Sequence, residues 1–430
     1  MQIAVIGLGK IGLPLAVQFA GADHPTVGVD TDPDVVALVG KGVAPFPGEQ
    51  DLAERLRDVV DAGRLTATTD TVAAVRESDA VVVVVPLFVD GHGQPDFRAL
   101  DAATAAIAEG LHPGLLVSYE TTLPVGTTRE RFLPVLERGG PRCGTDFWLV
   151  FSPERVLSGR VFADLRKYPK LVGGIDQASA DRGSEFYRAV LEFDERPDLD
   201  RPNGVWDMGG AEAAELAKLA ETTYRDVNIG LANQFALFAS RAGIDVHRVI
   251  EASNSQPYSH IHRPGIAVGG HCIPVYPQLY LWRDPEATLV RAARETNAGM
   301  PERTVALLDT VLGSIEGRRV AVLGAAYRAG VKETAFSGVF GAVAALEARG
   351  ADVVVHDPLY DDEELIALGF TPYHLGEPVD AAVVQTDHAA YGQIGADDLP
   401  GLLVVVDGRR VTSPTGWGTA TRVVLGEPLP

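Results

Sequence analysis

The sequence predicts an α/β protein made of two Rossmann-like, doubly wound parallel-sheet domains joined by a long central helix. Short apolar runs alternate with helical patterns through the first part of the chain, and a second alternation of this kind fills the last third. Between them, a helical pattern runs from Ala211 to about Ala242. A chain of 430 residues also exceeds what one hydrophobic core usually organises. The expected domains are 1–200, a central helical region at 201–312, and 313–430.

The overall charge is strongly acidic. The 58 acidic and 37 basic residues give a formal net charge of −21, which argues against a nucleic-acid partner or an anionic membrane surface. It does not exclude a small anionic ligand that is bound locally. No apolar run approaches a membrane span, and the N-terminus has neither a basic region nor a cleavage site. A cytoplasmic location is therefore expected.

The first strand opens into a glycine-rich turn. The apolar run from Gln2 to Ile6 is followed by Gly7-Leu-Gly-Lys-Ile-Gly12 and a helical pattern, and a second strand, Thr26–Val29, ends at Asp30. These glycines suit a tight turn, close approach of a pyrophosphate and helix-against-strand packing. An acid at Asp30 accepts hydrogen bonds from ribose hydroxyls and repels a 2′-phosphate, which predicts NAD rather than NADP. The predicted cofactor-binding residues are Gly7, Gly9, Lys10, Ile11, Gly12, Asp30, Pro86 and Thr122.

Polar residues follow two later strands of the first sheet. Further apolar runs occur at Ala80–Val85, Leu115–Tyr119 and Phe147–Phe151, with a helical segment at Phe97–Glu109. The second run leads into Glu120-Thr-Thr122 and the third into Ser152-Pro-Glu-Arg155. Because ligands gather at the carboxyl ends of parallel strands, these tips are candidate binding residues. The alternatives are a helix N-cap for the first tip and a solvated carboxylate for Glu154.

The central helix carries a charged pair, Glu215 and Lys218. A pair spaced by three residues is normally a solvated surface salt bridge worth a few tenths of a kcal/mol. The alternative is that Lys218 faces a ligand.

A cysteine follows the central helix in Gly265-Ile-Ala-Val-Gly-Gly-His-Cys272-Ile-Pro-Val-Tyr-Pro277. The glycine pair allows close approach to the backbone, and the two prolines restrict the chain beyond the sulfur. This predicts a presented, reactive thiol, and the alternative is a small buried cysteine in a tight turn. Cys143 is distant and no CxxC spacing occurs, so free thiols are expected, with neither a disulfide nor a metal site.

A second α/β domain closes the chain. Its predicted strands are Arg319–Leu323, Asp352–His356, Ala381–Val384 and Leu402–Val406. The turn from Gly324 to Gly330, which contains Tyr327, lacks the fingerprint spacing, so no second dinucleotide is expected. The last strand leads into Arg409 and Arg410, which suit a phosphate or carboxylate, although surface arginines after a turn are common.

An NAD site together with a reactive cysteine indicates oxidation at the aldehyde level. A thiol adds to an aldehyde to give a thiohemiacetal, and oxidation of that adduct gives a thioester that water cleaves. The expected product is a carboxylic acid.

The chain resembles the UDP-glucose/GDP-mannose dehydrogenase family over essentially its whole length. The motifs that carry the resemblance are Gly7-Leu-Gly-Lys-Ile-Gly12, Glu120-Thr-Thr-Leu-Pro-Val-Gly-Thr-Thr128, Pro153-Glu-Arg-Val-Leu-Ser-Gly159, Ala214-Glu-Leu-Ala-Lys-Leu219, Gly269-Gly-His-Cys272, Val355-His-Asp-Pro358 and Asp407-Gly-Arg409. The resemblance implies a four-electron oxidation of a nucleotide-sugar C6 alcohol to a uronic acid, with two NAD per sugar. It also implies a homodimer built through the central helix.

The resemblance assigns roles to individual residues. It implies that Cys272 is the nucleophile, that Lys218 stabilises oxyanions or handles the alcohol proton, and that Glu154 and Thr122 orient the hydrolytic water. The implied catalytic set is Cys272, Lys218, Glu154, Thr122, Thr222 and Tyr276. The implied substrate-binding set is Glu154, Arg155, Lys218, Gly269, Gly270, His271, Tyr327 and Arg409.

Three positions depart from the family pattern. Thr222 replaces an asparagine, Tyr276 replaces an aspartate, and Ala335 stands where an arginine is usual. These changes bear on water activation and cofactor contacts more than on the nucleophile. A non-catalytic nucleotide-sugar binding protein and a one-step alcohol dehydrogenase are therefore the rival interpretations.

The sugar is the least constrained part of the prediction. The segment Pro153–Gly159 and His271 before the cysteine resemble the branch that oxidises UDP-N-acetylhexosamines. Thr222 and Tyr276 fit neither branch. A UDP-N-acetylhexosamine is favoured, with UDP-glucose or TDP-glucose as the alternative.

Overall fold

The structure, a computed structural model, describes residues 1–429. It divides into two compact units, Met1–Ala220 and Glu221–Pro430. Within the described residues, no helix is long and apolar enough to cross a membrane.

The first unit is built on one large sheet flanked by helices. Its strands are β1 (Ile3–Ile6), β2 (Thr26–Val29), β3 (Leu65–Thr68), β4 (Ala80–Val83), β5 (Phe88–Val89), β6 (Pro95–Asp96), β7 (Leu116–Tyr119), β8 (Trp148–Phe151), β9 (Lys170–Gly174) and β10 (Val205–Asp207). Its helices are α1 (Gly12–Gly21), α2 (Pro33–Val39), α3 (Leu52–Asp61), α4 (Thr71–Arg76), α5 (Arg98–Gly110), α6 (Leu133–Leu136), α7 (Val161–Lys167), α8 (Gln177–Val190) and the start of α9 (Ala211–Ala242).

The strand order indicates where a ligand would bind. The order is β10-β9-β8-β7-β4-β1-β2-β3, while β5 and β6 form a separate antiparallel hairpin. The order reverses between β1 and β4, which leaves a crevice at the carboxyl ends of these strands. All neighbours in the sheet are parallel except β8 and β9. The predicted doubly wound sheet is therefore confirmed, with one antiparallel junction near its edge that the sequence did not indicate.

The second unit contains a smaller sheet. Its helices after α9 are α10 (Val246–Ser253), α11 (Tyr276–Arg283), α12 (Thr288–Ala298), α13 (Met300–Leu312), α14 (Gly338–Glu347) and α15 (Asp362–Ala367). Its strands are β11 (Arg319–Leu323), β12 (Asp352–His356), β13 (Ala381–Val384), β14 (Val404–Asp407) and β15 (Thr421–Val424). The order β12-β11-β13-β14-β15 is parallel throughout, and apolar residues cover both faces of the sheet. This is the second α/β sheet that the sequence predicts.

Helix α9 has the predicted limits. Its 32 residues correspond to a length of about 48 Å. Gly230, in the interior of the helix, marks a close helix crossing, because a Cβ there would lie 3.1 Å from the Cα of Ala293 in α12.

Candidate active site

The turn between β1 and α1 is built for a dinucleotide. Gly7 has a φ of +95°, which a side chain disfavours, and a Cβ on Gly12 would lie 1.8 Å from the carbonyl oxygen of Gly7. A Cβ on Gly9 would meet no described atom within 4 Å. The first and third glycines are therefore required by the turn, and the second leaves open space on the side where a pyrophosphate would approach.

Asp30 follows β2 and lies against this turn. Its Oδ2 accepts a hydrogen bond from the backbone N–H of Leu8 at 2.8 Å, and its Oδ1 accepts one from the N–H of Asp32 at 3.0 Å. A carboxylate has about four acceptor positions, so both oxygens can also accept from ribose hydroxyls. The half-buried negative charge disfavours a 2′-phosphate. These features fit NAD.

The neighbouring strand tips continue the candidate site. The carbonyl of Val84 would lie 3.1 Å from a Cβ on Gly7, so the chain at the end of β4 packs against the glycine-rich turn. Exposed Pro86 follows Val84 by two residues. Thr121 Oγ1 donates to the carbonyl of Val85 at 2.7 Å. The next residue, Thr122, is buried, and its hydroxyl has no hydrogen-bond partner in residues 1–429. An orphaned buried hydroxyl is suited to a water or ligand atom.

Glu154 and Lys218 are brought together. The Lys218 Nζ donates to the backbone carbonyl of Glu154 at 2.5 Å and lies 3.6 Å from its Oε2. Their side chains are only 7% and 13% exposed, in the order Lys218 and Glu154. Arg155, the next residue, donates from Nη1 to the carbonyl of Pro169 at 3.0 Å. The solvated-carboxylate alternative for Glu154 is therefore wrong.

Glu215 is also buried, so the surface salt-bridge interpretation of Glu215 and Lys218 is wrong. Its carboxylate accepts from the N–H of Gly126 at 2.5 Å, the N–H of Thr128 at 2.9 Å and the Thr128 hydroxyl at 2.7 Å. Burial raises the pKa of Glu215 to about 7, although these hydrogen bonds oppose the rise. Glu215 thus attaches the start of α9 to the turn that follows Thr122.

A buried ion pair that sequence reasoning missed lies beneath these residues. Lys170 Nζ donates to Glu120 Oε2 at 2.5 Å, and the Tyr187 hydroxyl donates to Glu120 Oε1 at 2.7 Å. The Glu154 N–H donates to the Glu120 carbonyl at 3.2 Å. A cavity of about 20 Å³, large enough for one water, is lined in part by Glu120, Glu154 and Lys170. The only signal in the sequence was the position of Glu120 at a strand tip.

In the second unit, Cys272 has an exposed side chain, so the buried-cysteine alternative is wrong. We call residues 265–275 the cysteine loop. The carbonyl of Cys272 accepts hydrogen bonds from the N–H groups of Val275 and Tyr276 at 3.3 and 2.9 Å. The thiol therefore precedes α11 on a closed turn. Cys143, by contrast, is half-buried, and burial raises the pKa of its thiol.

The glycine pair before the cysteine serves packing within the unit. A Cβ on Gly269 would lie 2.7 Å from the Cβ of Tyr327, and one on Gly270 would lie 2.9 Å from the Tyr327 ring. The N–H of Gly270 donates to the carbonyl of Ala335 at 2.8 Å. We expected the glycine pair to leave open space for a ligand beside the sulfur. This expectation is wrong for the side toward which the Cβ atoms would point. Tyr327 occupies that side.

The other predicted residues of this unit lie on separate elements. His271 is hydrogen-bonded through Nε2 to Glu333 Oε1, and its side chain is 60% exposed. Tyr276 is the first residue of α11 and is half-buried. Thr222 is buried and lies one helical turn after Lys218 along α9.

Arg409 lies against the start of the cysteine loop. Its Nε donates to the carbonyl of Gln385 at 2.7 Å, and its Nη1 would lie 2.8 Å from a Cβ on Gly265. It borders a cleft of about 520 Å³ in which basic side chains outnumber the single carboxylate. The lining residues are His247, Ile250, Glu251, Asn254, Ile261, Arg263, Pro264, Arg409 and Arg410. Such a lining suits a phosphorylated ligand.

Comparison with known protein families accounts for this arrangement. Models of the UDP-glucose/GDP-mannose dehydrogenase family match in three parts: the NAD binding domain at residues 1–191, the central domain at 212–299 and the UDP binding domain at 321–414. The chain belongs to the UDP-glucose/GDP-mannose dehydrogenase family. The resemblance expected from the motifs is confirmed, and so is NAD as the cofactor. This family member is an NAD-dependent nucleotide-sugar dehydrogenase.

Individual members of the family are similar over almost the entire chain. A UDP-N-acetyl-D-mannosamine dehydrogenase of Pyrococcus horikoshii is 34% identical over 432 residues, which cover 97% of this chain and 98% of the relative. The solved structure of UDP-D-ManNAc dehydrogenase from that organism has a TM-score of 0.87 at 32% identity and 99% coverage of both chains. A UDP-glucose dehydrogenase from Pyrobaculum islandicum has a TM-score of 0.84 at 28% identity, with 99% and 98% coverage. Similarity of fold therefore does not discriminate between these sugars.

Proposed function

We propose that this enzyme oxidises the C6 alcohol of a UDP-N-acetylhexosamine to the uronic acid, with Cys272 as the covalent nucleophile. The observation that carries the proposal is the exposed Cys272 thiol on an anchored turn, in a chain that has an NAD-binding domain. An exposed, positioned thiol would be idle in a one-step alcohol dehydrogenase.

The reaction assigns each residue a chemical task. NAD held by the turn from Gly7 to Gly12 and by Asp30 would supply the oxidising power, with one NAD consumed in each of the two oxidation steps. The ammonium of Lys218 offsets the negative charge that develops on the C6 oxygen in both steps, while the hydroxyl proton passes to solvent water. The Cys272 thiolate adds to the aldehyde carbon, which forms a C–S bond, and loss of the remaining C6 hydride converts this thiohemiacetal into a thioester.

Hydrolysis of the thioester requires a positioned water. The carboxylate of Glu154, which lines a small cavity with room for one water, is suited to orient it, and the unpartnered hydroxyl of Thr122 offers a second hydrogen-bonding group. Addition of this water to the thioester carbon breaks the C–S bond, releases the uronic acid and regenerates the thiol. Thr222 and Tyr276 supply hydroxyl groups in place of the family's amide and carboxylate, so they can hydrogen-bond without adding charge.

The nucleotide end of the substrate is assigned to the second unit. The cleft beside Arg409 also presents Arg263 and Arg410, and guanidinium groups bind phosphate oxygens in a bidentate manner. The UDP binding domain model covers residues 321–414, which include Arg409.

The sugar is assigned from two sequence motifs and from the relatives. His271 and the segment Pro153–Gly159 resemble the N-acetylhexosamine branch, and the relative that is 34% identical is a UDP-N-acetyl-D-mannosamine dehydrogenase. His271 immediately precedes Cys272, and its ring is held by Glu333 through Nε2, which leaves Nδ1 to hydrogen-bond a sugar substituent. UDP-glucose remains the competing substrate.

The reaction predicts a specific yield of NADH. With purified protein, NAD and limiting UDP-N-acetylmannosamine, we expect about two NADH per sugar, because both oxidations occur before release of the acid. Parallel assays with UDP-N-acetylglucosamine, UDP-glucose and TDP-glucose give the relative kcat/KM values. A site that hydrogen-bonds the acetamide should disfavour glucose by roughly 10⁴-fold, whereas an apolar pocket would discriminate by only about 10- to 200-fold.

Each other result has a defined meaning. About one NADH per sugar would indicate a simple alcohol dehydrogenase. No NADH with any sugar, in a protein that still binds them, would indicate a binding protein. A higher kcat/KM for either glucose compound would overturn the N-acetylhexosamine assignment alone.

We also propose that two copies of the chain associate through α9. Tyr224, Leu231, Phe235 and Phe238 recur on this helix at intervals of seven, four and three residues, which places them on one face. Their exposed fractions are 56, 44, 39 and 61%. A second copy would bury this apolar face around a two-fold axis.

Replacing Phe238 with glutamate is expected to convert the dimer into a monomer at micromolar concentration, because a carboxylate in an apolar interface is left unpaired. Light scattering after size-exclusion chromatography measures the mass. The control is Ile366→Glu on α15, which changes a residue of the same 61% exposure outside this face. A monomeric unaltered protein, or a dimeric Phe238→Glu variant, would contradict the proposed interface.

A further inference from the structure

The second unit contains a buried polar network where α9 crosses α12. Asp226 on α9 is fully buried, and Arg294 on α12 donates to both of its carboxylate oxygens, from Nε and Nη2, at 2.6 Å each. Asn297 donates to Asp226 Oδ1 at 2.8 Å and to the Asp226 carbonyl at 2.9 Å. The helices are close enough for these bonds because Gly230 faces Ala293. Charge-assisted hydrogen bonds therefore join the two helices.

Both ends of the cysteine loop are attached to this network. Near one end, Arg294 Nη1 donates to the carbonyl of Pro274 at 3.2 Å, two residues after the thiol. At the other end, the N–H of Gly265 donates to Asn233 Oδ1 at 2.9 Å. Asn233 Nδ2 in turn donates to Asn297 Oδ1 at 2.9 Å. One continuous set of buried side chains thus holds the loop at two points.

The attachment at Pro274 bears directly on the thiol. Pro274 lies inside the turn that closes when the carbonyl of Cys272 accepts the N–H groups of Val275 and Tyr276. Fixing the Pro274 carbonyl therefore fixes the backbone from which the sulfur projects. Cys272 itself is exposed and lies in the loop, outside the strands and helices.

We propose that Arg294, together with Asp226, is a positioning residue for the Cys272 thiol. The proposal rests on the function proposed above, because it concerns the nucleophile of that reaction. Arg294 positions the loop through the planar shape of its guanidinium. Its Nε and Nη2 bind the Asp226 carboxylate while its Nη1 donates to the carbonyl of Pro274. A lysine keeps the charge but cannot reproduce this fork.

Arg294→Lys is the decisive variant. We expect kcat to fall roughly 10- to 100-fold while KM stays within about threefold, because a small displacement of the nucleophile costs rate rather than binding. The rate at which iodoacetamide alkylates Cys272, followed by the mass of the peptide that contains it, should also change by about threefold or more. A role confined to helix packing would move neither quantity in folded protein.

The chain offers a matched control. Arg349 donates from Nη1 and Nη2 to the two oxygens of Glu302, at 3.0 and 2.5 Å, and from Nη1 to the carbonyl of Ala345 at 2.9 Å. These are the same kinds of bond, made away from the cysteine loop. Arg349→Lys should leave kcat and the alkylation rate unchanged.

A double variant separates positioning from folding. Asp226→Asn with Arg294→Gln removes both buried charges, so no unpaired charge remains to destabilise the fold. It should fold and show the same loss of kcat. Each variant is assayed below its own unfolding temperature, which circular dichroism gives.

The inference would be overturned if Arg294→Lys and the double variant both had kcat values and alkylation rates within about twofold of those of Arg349→Lys. A change in KM alone would also overturn it. So would a loss of kcat seen only in an Arg294→Lys protein that is poorly folded. Failure of the proposed function looks different, because the unaltered protein would then give no NADH with any nucleotide sugar. The alkylation rate would still report on the loop in that case.

Discussion

Replacing Cys272 with serine is expected to lower the rate of uronic acid formation by about 10³-fold or more, while the affinity for the nucleotide sugar stays close to that of the unaltered protein. A serine hydroxyl is a far poorer nucleophile than a thiolate unless a dedicated base activates it. The side chain of residue 272 is exposed, so the substitution leaves no cavity and should not disturb folding. Acid formation is measured by chromatography of the products, and affinity by calorimetry.

The second cysteine of the chain provides the control. Cys143 is half-buried, and its sulfur lies 3.5 Å from the Ser179 hydroxyl. Cys143→Ser should therefore keep full activity. If Cys272→Ser formed acid at the rate of Cys143→Ser, the covalent mechanism would have to be abandoned.

Much of the fold could be predicted because its signals are local. The strands Thr26–Val29, Arg319–Leu323 and Asp352–His356 have the predicted limits, and α9 begins and ends where its pattern does. A run of β-branched residues or a 3.6-residue period is sufficient for such predictions. The antiparallel pairing of β8 with β9 could not be predicted, because strand direction depends on how distant segments meet.

The buried ion pairs that hold the candidate site residues in place could not be predicted from sequence patterns. Lys170 pairs with Glu120 across 50 residues of sequence, and Arg294 pairs with Asp226 across 68. No local rule connects such residues. For the helix network, the usable signal is polar side chains at helical spacing on otherwise buried faces, such as Asp226 with Asn233 on α9 and Arg294 with Asn297 on α12.

The spacing rule for helical side chains gave a wrong prediction for Glu215 and Lys218. Glu215 and Lys218 have the spacing of a surface pair, yet Glu215 accepts three hydrogen bonds from the Gly126–Thr128 turn. Lys218, one helical turn later, reaches Glu154. The helix rule states which side chains are neighbours, and tertiary burial decides which partners they take.

The environment of Lys218 is suited to electrostatic catalysis. The ammonium side chain is only 7% exposed, so its charge is weakly screened by solvent. Its Nζ is held by the carbonyl of Glu154, which fixes its position before the reaction. A preorganised charge of this kind costs no reorganisation when an oxyanion develops.

Lys218→Ala should therefore lower kcat by roughly 10²- to 10³-fold, with KM within a few-fold of the unaltered value, because the ammonium acts mainly on charge that exists only in the transition state. Lys218→Arg should give an intermediate loss, since it keeps the charge in a larger, planar group. Lys41→Ala, at an exposed position in the first unit, is the control and should change neither kcat nor KM. Steady-state kinetics with the preferred UDP-sugar separates kcat from KM. A change in KM alone would instead assign Lys218 to ground-state substrate binding, because an interaction that is equal in the ground and transition states leaves kcat unaltered.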